Sequence, residues 1–161
     1  MKRVLVIGCP GSGKSTFCRA LHTITQLPLC HLDMLYWNPD KTTVPKEYFM
    51  ERLCRVLDTD AWIMDGNFSS TMELRMQACD TVIFLDYPTE LCLQGVRNRI
   101  GTPRSDIPWV ETEEDPEFMT FIRDFQTQRK PQILALLEKY SKKNIHRFTS
   151  RQEAEQFLQQ L

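Results

Sequence analysis

Residues 8 to 16 read Gly-Cys-Pro-Gly-Ser-Gly-Lys-Ser-Thr, and their types and spacing suit a bound polyphosphate. Gly8, Gly13, Lys14 and Ser15 satisfy the pattern G-x-x-x-x-G-K-[ST] without a mismatch. Glycines at 8, 11 and 13 permit the backbone angles that turn successive N–H groups inward around one anion. A helix beginning near Lys14 adds its positive end. Lys14 then reaches the β- and γ-phosphates, and Ser15 offers a hydroxyl to Mg²⁺. The whole run of Gly8, Cys9, Pro10, Gly11, Ser12, Gly13, Lys14, Ser15 and Thr16 is the expected seat of a purine triphosphate, ATP with magnesium. Cys9 admits two readings. It is a thiol made acidic by the surrounding N–H dipoles, or a small residue fitted between strand and loop.

Three further segments carry candidate chemistry. In "CHLDMLYW", 30–37, Asp33 is expected at the carboxyl end of a strand, and such ends face the ligand crevice of an open parallel sheet. A carboxylate there accepts or orients the proton of an attacking hydroxyl, or else caps the following turn. Tyr36 and Trp37 make either a stacking wall for a planar acceptor or part of the core. In "WIMDGN", 62–67, a buried strand ends at Asp65, beside the magnesium, where a carboxylate can hold the water shell of the metal. In "CLQGVRNRIGTPRSD", Arg97 and Arg99 end a helix and Arg104 follows in a loop. Arginines on a closing loop suit a loose, highly charged phosphoryl-transfer transition state. Arg97 and Arg99 are two apart and do not share a helix face, so one of them also reads as a solvated surface charge.

These residues need a scaffold that brings loop and strand ends together. Short β-branched runs at 3–7, 28–32, 61–65, 80–86 and 144–148 alternate with helical patterns at 14–24, 46–57, 69–78, 88–99, 116–141 and 151–160. That alternation predicts a parallel sheet with crossover helices. The acids of "GTPRSDIPWVETEEDP", 101–116, read as a solvated turn feeding a helix, with Asp115 as cap and Pro116 and Glu117 in the first turn.

The chain has 161 residues, 42% hydrophobic and 25% charged, which fits one ordinary globular domain. Its net charge of −1 argues against broad adhesion to nucleic acid or anionic lipid, so DNA is not expected as a direct high-affinity ligand. No C-x-x-C pair and no histidine cluster occurs, which disfavours a structural metal site. Cys30 and Cys54, among apolar neighbours, read as small buried hydrophobes in a reducing cytoplasm. No signal-peptide core or membrane-length run is present. A cytoplasmic location, with no membrane partner, is the expectation.

The GTPase patterns D-x-x-G and N-K-x-D are absent, as is the transporter signature L-S-G-G-Q. Kinases of nucleotides and small metabolites remain. "LDML" is similar to the G-D-M-L stretch of adenylate kinases, and "IMDG" to their L-L-D-G. The order of phosphate loop, "HLDMLYW", "WIMDGN", Arg75, "VIFLDYP" and the arginine-rich "RSD" loop resembles bacterial topology-modulation (FlaR-like) proteins, within the adenylate-kinase-like P-loop superfamily. The resemblance runs over nearly the whole chain.

It implies one three-layer α/β P-loop domain over 1–161, a five-stranded parallel sheet ordered 2-3-1-4-5, an acceptor-binding segment about 34–58 and a short lid about 99–116. It also implies ATP- and Mg²⁺-dependent phosphoryl transfer to a small acceptor. Lys14 would act on the phosphates, Ser15 and Asp65 on the metal, Asp33 on the acceptor, and Arg97, Arg99 and Arg104 on the transferring group. Adenylate kinases follow D-M-L with an arginine and D-G with F-P-R, whereas this chain has Tyr36 and Asn67-Phe68. Those losses weaken the case for an AMP-like acceptor and make a nucleoside or sugar-like hydroxyl metabolite at least as plausible as a nucleotide. Asp33, Trp37 and Arg75 are the acceptor candidates; Arg75, and equally Arg52 or Arg55, can partly replace the two missing phosphate-binding arginines. In similar kinases the turn "RFTSRQ", 147–152, lies beside the adenine, while the residues alone predict a helix cap at Ser150. The usual label of the FlaR-like proteins raises a competing class, a nucleotide-binding regulator of DNA topology without metabolic turnover. A direct DNA binder needs a basic face, and the densest basic stretch is 139–147.

Overall fold

The computed structural model describes residues 1–161 as a parallel sheet flanked by helices. The strands are β1 (Arg3–Gly8), β2 (Leu29–His31), β3 (Trp62–Asp65), β4 (Thr81–Leu85) and β5 (Asn144–Phe148). The helices are α1 (Lys14–Thr25), α2 (Leu32–Tyr36), α3 (Lys46–Leu57), α4 (Ser69–Ala78), α5 (Thr89–Arg99), α6 (Pro116–Gln128), α7 (Lys130–Lys139) and α8 (Arg151–Gln159). The sheet order is β2-β3-β1-β4-β5, all parallel, as expected. Residues 4–8 of β1 and every residue of β3 and β4 are buried, which is why these runs read as nearly unbroken apolar stretches. β5 lies at the edge and is only partly covered.

Register fixes what meets at the carboxyl ends of the strands. Val6 and His31 both pair with Asp65, and Gly8 pairs with Leu85. The phosphate loop therefore leaves the central strand beside Asp65, and α1 begins at Lys14.

Four local expectations differ from the structure. The second strand stops at His31, and "LDMLY" turns into α2, so Asp33 sits in the first turn of a short helix rather than at a strand end. The helix expected over 116–141 is two helices, broken at Arg129, because Pro131 has no N–H for a continuing ladder and disfavours helical geometry just before it. Cys54 is exposed. α3 buries Phe49, Leu53 and Leu57, a stripe at four-residue spacing, and Cys54 is one residue, about 100°, off that stripe. Cys30 is half-buried. The caps at Asp115 and Ser150 form as expected: Asp115 accepts from the Glu117 and Phe118 N–H groups, and Ser150 from that of Glu153. No helix is long and apolar enough to cross a membrane.

Candidate active site

A cavity of about 1030 Å³ opens at the carboxyl ends of the strands, and the phosphate loop lines it. The loop holds its shape through backbone contacts. Gly11 has φ 82°, and a Cβ there would meet the Cys92 carbonyl oxygen at 2.0 Å. From the other side, a Cβ on Gly95 of α5 would meet the Gly11 oxygen at 2.1 Å. The loop thus rests directly on α5, and a side chain at either position would push it away. Gly13 has φ 92° and open space where a Cβ would stand. Lys14 Nζ donates to the carbonyls of Gly8 (2.9 Å) and Cys9 (3.1 Å), which leaves one of its three N–H groups free. Burial lowers its pKa, and the Asp65 carboxylate opposes that. Ser12 Oγ is buried within the loop with no protein partner, as suits a group meant for a ligand oxygen.

Cys9 is buried, only 2% exposed. Hydrogen bonding with Cys92 and then burial push its pKa up, outweighing the Lys14 charge. Its burial fits the packing reading.

Carboxylates converge on Lys14 and Ser15. His31 Nδ1 donates to Asp65 Oδ2 at 2.9 Å, across the β2–β3 register, and both groups are buried. Asp33 is pushed up to about 6, chiefly by burial and next by the Asp65 charge, with Lys14 opposing. Asp106, on the loop after α5, accepts from Ser15 Oγ at 2.8 Å. Arg104 grips the same carboxylate with two N–H groups at 3.1 Å each. Arg104 Nη1 also donates to Glu111 (2.9 Å), which accepts from Arg99 Nε at 3.0 Å and Nη2 at 3.3 Å. One chain of contacts therefore runs Ser15–Asp106–Arg104–Glu111–Arg99. The loop is closed at its base by Gly101 N–H donating to the Glu111 carbonyl.

The donors near Ser15 are hard oxygens: its hydroxyl and the carboxylates of Asp65 and Asp106. They fit Mg²⁺, which is commonly held by one or two carboxylates together with substrate phosphates and water. No group of three or more His, Cys, Asp or Glu forms a cage of its own.

Side chains from other elements line the same cavity. Asp33 and Trp37 line it from the region of α2, and Phe121, Arg129, Gln132 and Leu136 from α6, α7 and their junction. Trp37 meets the loop residue Trp109 edge-on, with centroids 5.4 Å apart. The Arg129 guanidinium lies 5.4 Å from the Phe121 ring centroid, and its one polar contact is Ser69 Oγ at 3.4 Å.

Several expected residues lie elsewhere. Arg75 is fully buried and donates to Thr71 Oγ1 and to the carbonyls of Gly66 and Phe68, so it braces the turn after β3 rather than facing the cavity. Arg97 pairs with Glu114 in an exposed contact away from the cavity wall. Arg52 and Arg55 are exposed, the latter paired with Glu51. Tyr36 packs against Phe49 and Phe68 as core. Asp33, Trp37, Arg99 and Arg104 do line the cavity, as does Arg151 at the start of α8. The basic stretch 139–147 is engaged internally: Lys139 with Glu73, Lys143 with the Gln77 and Cys79 carbonyls, and Arg147 with Asp86. His31, Asp106 and Arg129 carried no motif of their own. Asp106 lay in the quoted "RSD", but only folding brings it onto Ser15.

No family model matches the chain, and no curated protein matches it. Among solved structures it resembles a shikimate kinase from Acinetobacter baumannii in complex with shikimate, at 18% identity and a TM-score of 0.65, covering 99% of this chain and 90% of that one. It also resembles a shikimate kinase from Bacteroides thetaiotaomicron, at 20% identity and a TM-score of 0.56, covering 99% and 95%. The fold is that of these P-loop kinases.

Proposed function

We propose that this protein transfers the γ-phosphoryl group of ATP, as its magnesium complex, to a hydroxyl of a small acceptor held between Asp33 and Arg129. The observation that carries this reading is one continuous cavity lined by the phosphate loop, by the Asp33 carboxylate, which has no ion-pair partner and feels the Lys14 charge, and by Arg129, which has no acidic partner. The likeness to two shikimate kinases supports the same chemistry. The order of sequence motifs supports placing the chain beside the FlaR-like branch of such kinases.

Lys14 and the loop N–H groups hold the β- and γ-phosphates. Ser15 and Asp65 hold the magnesium, which when bound offsets charge developing on the phosphate oxygens. Asp33 orients the attacking hydroxyl and takes its proton, a role for which a carboxyl poised near 6 is well matched at neutral pH. Arg99 and Arg104 face the transferring group. Arg129 fits an anionic substituent of the acceptor, since a guanidinium pairs strongly with a carboxylate or phosphate. Trp37 and Phe121 supply apolar walls for its body. A hydroxylated carboxylic acid of the kind bound by the Acinetobacter enzyme belongs to the class this site suits.

The test is ADP release by the purified protein with Mg²⁺ and a panel of hydroxy acids, nucleosides, nucleotides and neutral sugars. Turnover stimulated by a hydroxyl-bearing anion is expected. An ATP-binding protein whose ADP release responds to no acceptor would overturn the reading.

A further inference from the structure

Ser15 has one hydroxyl proton and two lone pairs to place. The proton goes to Asp106 Oδ2 at 2.8 Å, so the lone pairs face away from Asp106. A serine ligates a metal through a lone pair. Holding its proton elsewhere therefore fixes the oxygen in the orientation that a metal requires, much as partners behind metal ligands do in general. Asp106 is itself held firmly. Arg104 donates to both of its oxygens at 3.1 Å, and an ionised carboxylate offers the Ser15 hydroxyl acceptors only. It is only 8% exposed although it belongs to a loop without regular structure.

We propose that Asp106 is a positioning residue of the metal site: it aims the Ser15 oxygen at magnesium and, through Arg104 and Glu111, ties Arg104 and Arg99 to that same serine. Metal binding and placement of the loop arginines are then one coupled event. Magnesium strengthens nucleotide binding only when the loop is seated, and the loop is seated by the residue that prepares the metal ligand. The inference rests on the ATP-and-magnesium reading of the site, and its test needs no acceptor.

Binding of a non-hydrolysable ATP analogue is measured by calorimetry, with Mg²⁺ and with EDTA, for the native chain, Asp106→Ala, Asp106→Asn, Ser15→Ala and the Ser15→Ala/Asp106→Ala double variant. The ratio of the two affinities reports the metal contribution. Asp106→Ala should lower that ratio ~10–100-fold, the range for loss of a partner behind a metal ligand, with the loss in the magnesium arm and the EDTA arm unchanged. Asp106→Asn keeps the shape but accepts through one oxygen only, and should fall between. With Ser15→Ala already present, Asp106→Ala should not lower the ratio further, because both act through one contact.

An unchanged ratio in Asp106→Ala would overturn the proposal. So would equal losses in both arms, which would make Asp106 a structural prop of the loop. Tighter magnesium-dependent binding would mean that Asp106 competes with the metal, and a gain confined to the EDTA arm would mean simple repulsion of phosphate. Each of these leaves the phosphoryl-transfer reading standing. A native chain whose analogue binding ignores magnesium would remove both.

Discussion

Where residues 8–16 line the cavity, a ligand meets backbone N–H groups, one lysine and a helix start, all contiguous in sequence and braced on α5 through Gly11 and Gly95. In the acceptor region it meets Asp33, Trp37, Phe121 and Arg129, side chains from three separate segments. The first region binds through conformation, and conformation at a tight loop demands particular residues at fixed spacing. The second binds through side-chain placement, which many sequences can reach by different routes. A phosphate-binding geometry fixed by backbone conformation can thus sit beside an adjustable set of side chains, and the two regions should respond differently to substitution.

The sharpest break in that comparison is Lys14→Ala. The ammonium sits inside the loop, bonded to two loop carbonyls, and is the cation nearest the expected β- and γ-phosphates. Loss of a buried charge-assisted contact of this kind costs roughly 2–5 kcal/mol, so affinity for the ATP analogue should fall at least thirtyfold while circular dichroism stays native. Retained affinity would mean that the loop binds something other than polyphosphate.

Asp33→Asn should separate the two regions in a single variant. Acceptor-dependent turnover should drop ~10²–10⁴-fold, the usual cost of losing a general base, while affinity for ATP stays within a few fold. On the proposed mechanism the carboxylate is the working form, and burial with the Asp65 charge raises its pKa to about 6. Acceptor-dependent turnover should therefore rise as pH increases through about 6 and be lost below it, and in the variant this limb should disappear. If Asp33 only caps the first turn of α2, Asn serves nearly as well and turnover stays at the native rate.

Much of this architecture was legible in the sequence, and the exceptions have physical causes. The strands and the phosphate loop could be read because buried parallel strands and anion-binding turns constrain residue type locally, while the strand order came from the resemblance to adenylate-kinase-like P-loop proteins. Asp65 could be placed because it ends a continuous apolar run. The contact of Asp106 with Ser15 spans 91 positions, and nothing in "RSD" states which element the aspartate will reach. Arg75 was misplaced for the converse reason. An arginine on a helix near a site reads as a ligand-facing cation, and only the fold shows that the Gly66 and Phe68 carbonyls lie within its reach and need donors. Arg129 was hidden because the apolar pattern over 116–141 reads as one continuous helix: Pro131 breaks that helix, and at the break Arg129 lines the cavity.

Arg129→Ala sharpens the acceptor region with a smaller effect. A hydrogen bond to a charged partner is worth about 1.5–3 kcal/mol, so KM for an anionic acceptor should rise ~10–100-fold while KM for ATP is unchanged. A neutral acceptor of similar size should be indifferent to the change. An equal loss for neutral and anionic acceptors would assign Arg129 to support of the α6–α7 junction instead.

The smallest effect concerns stability and tests whether Asp33 is held for function at a cost to the fold. Its pKa is raised to about 6 by burial and by Asp65, against roughly 3.9 in an unfolded chain. Below pH 4 the group is protonated in both states and contributes nothing. Between 4 and 6 the unfolded chain releases the proton and the folded one keeps it, so stability falls as pH rises across that window. Above 6 both states are ionised and the full penalty is present. Part of it is relieved by water reaching a half-buried group, which leaves about 1–2 kcal/mol. Asn has nearly the same shape and no charge to bury. Asp33→Asn should therefore match the native protein in urea unfolding at pH 4 and exceed its stability by about that amount at pH 8. A carboxylate serving as a helix cap predicts the opposite sign, because an ionised Asp in the first turn favours the helix and Asn would forfeit that attraction. A variant less stable than the native chain at pH 8 would make Asp33 a structural residue, and the acceptor region would then have to orient its hydroxyl without a carboxylate.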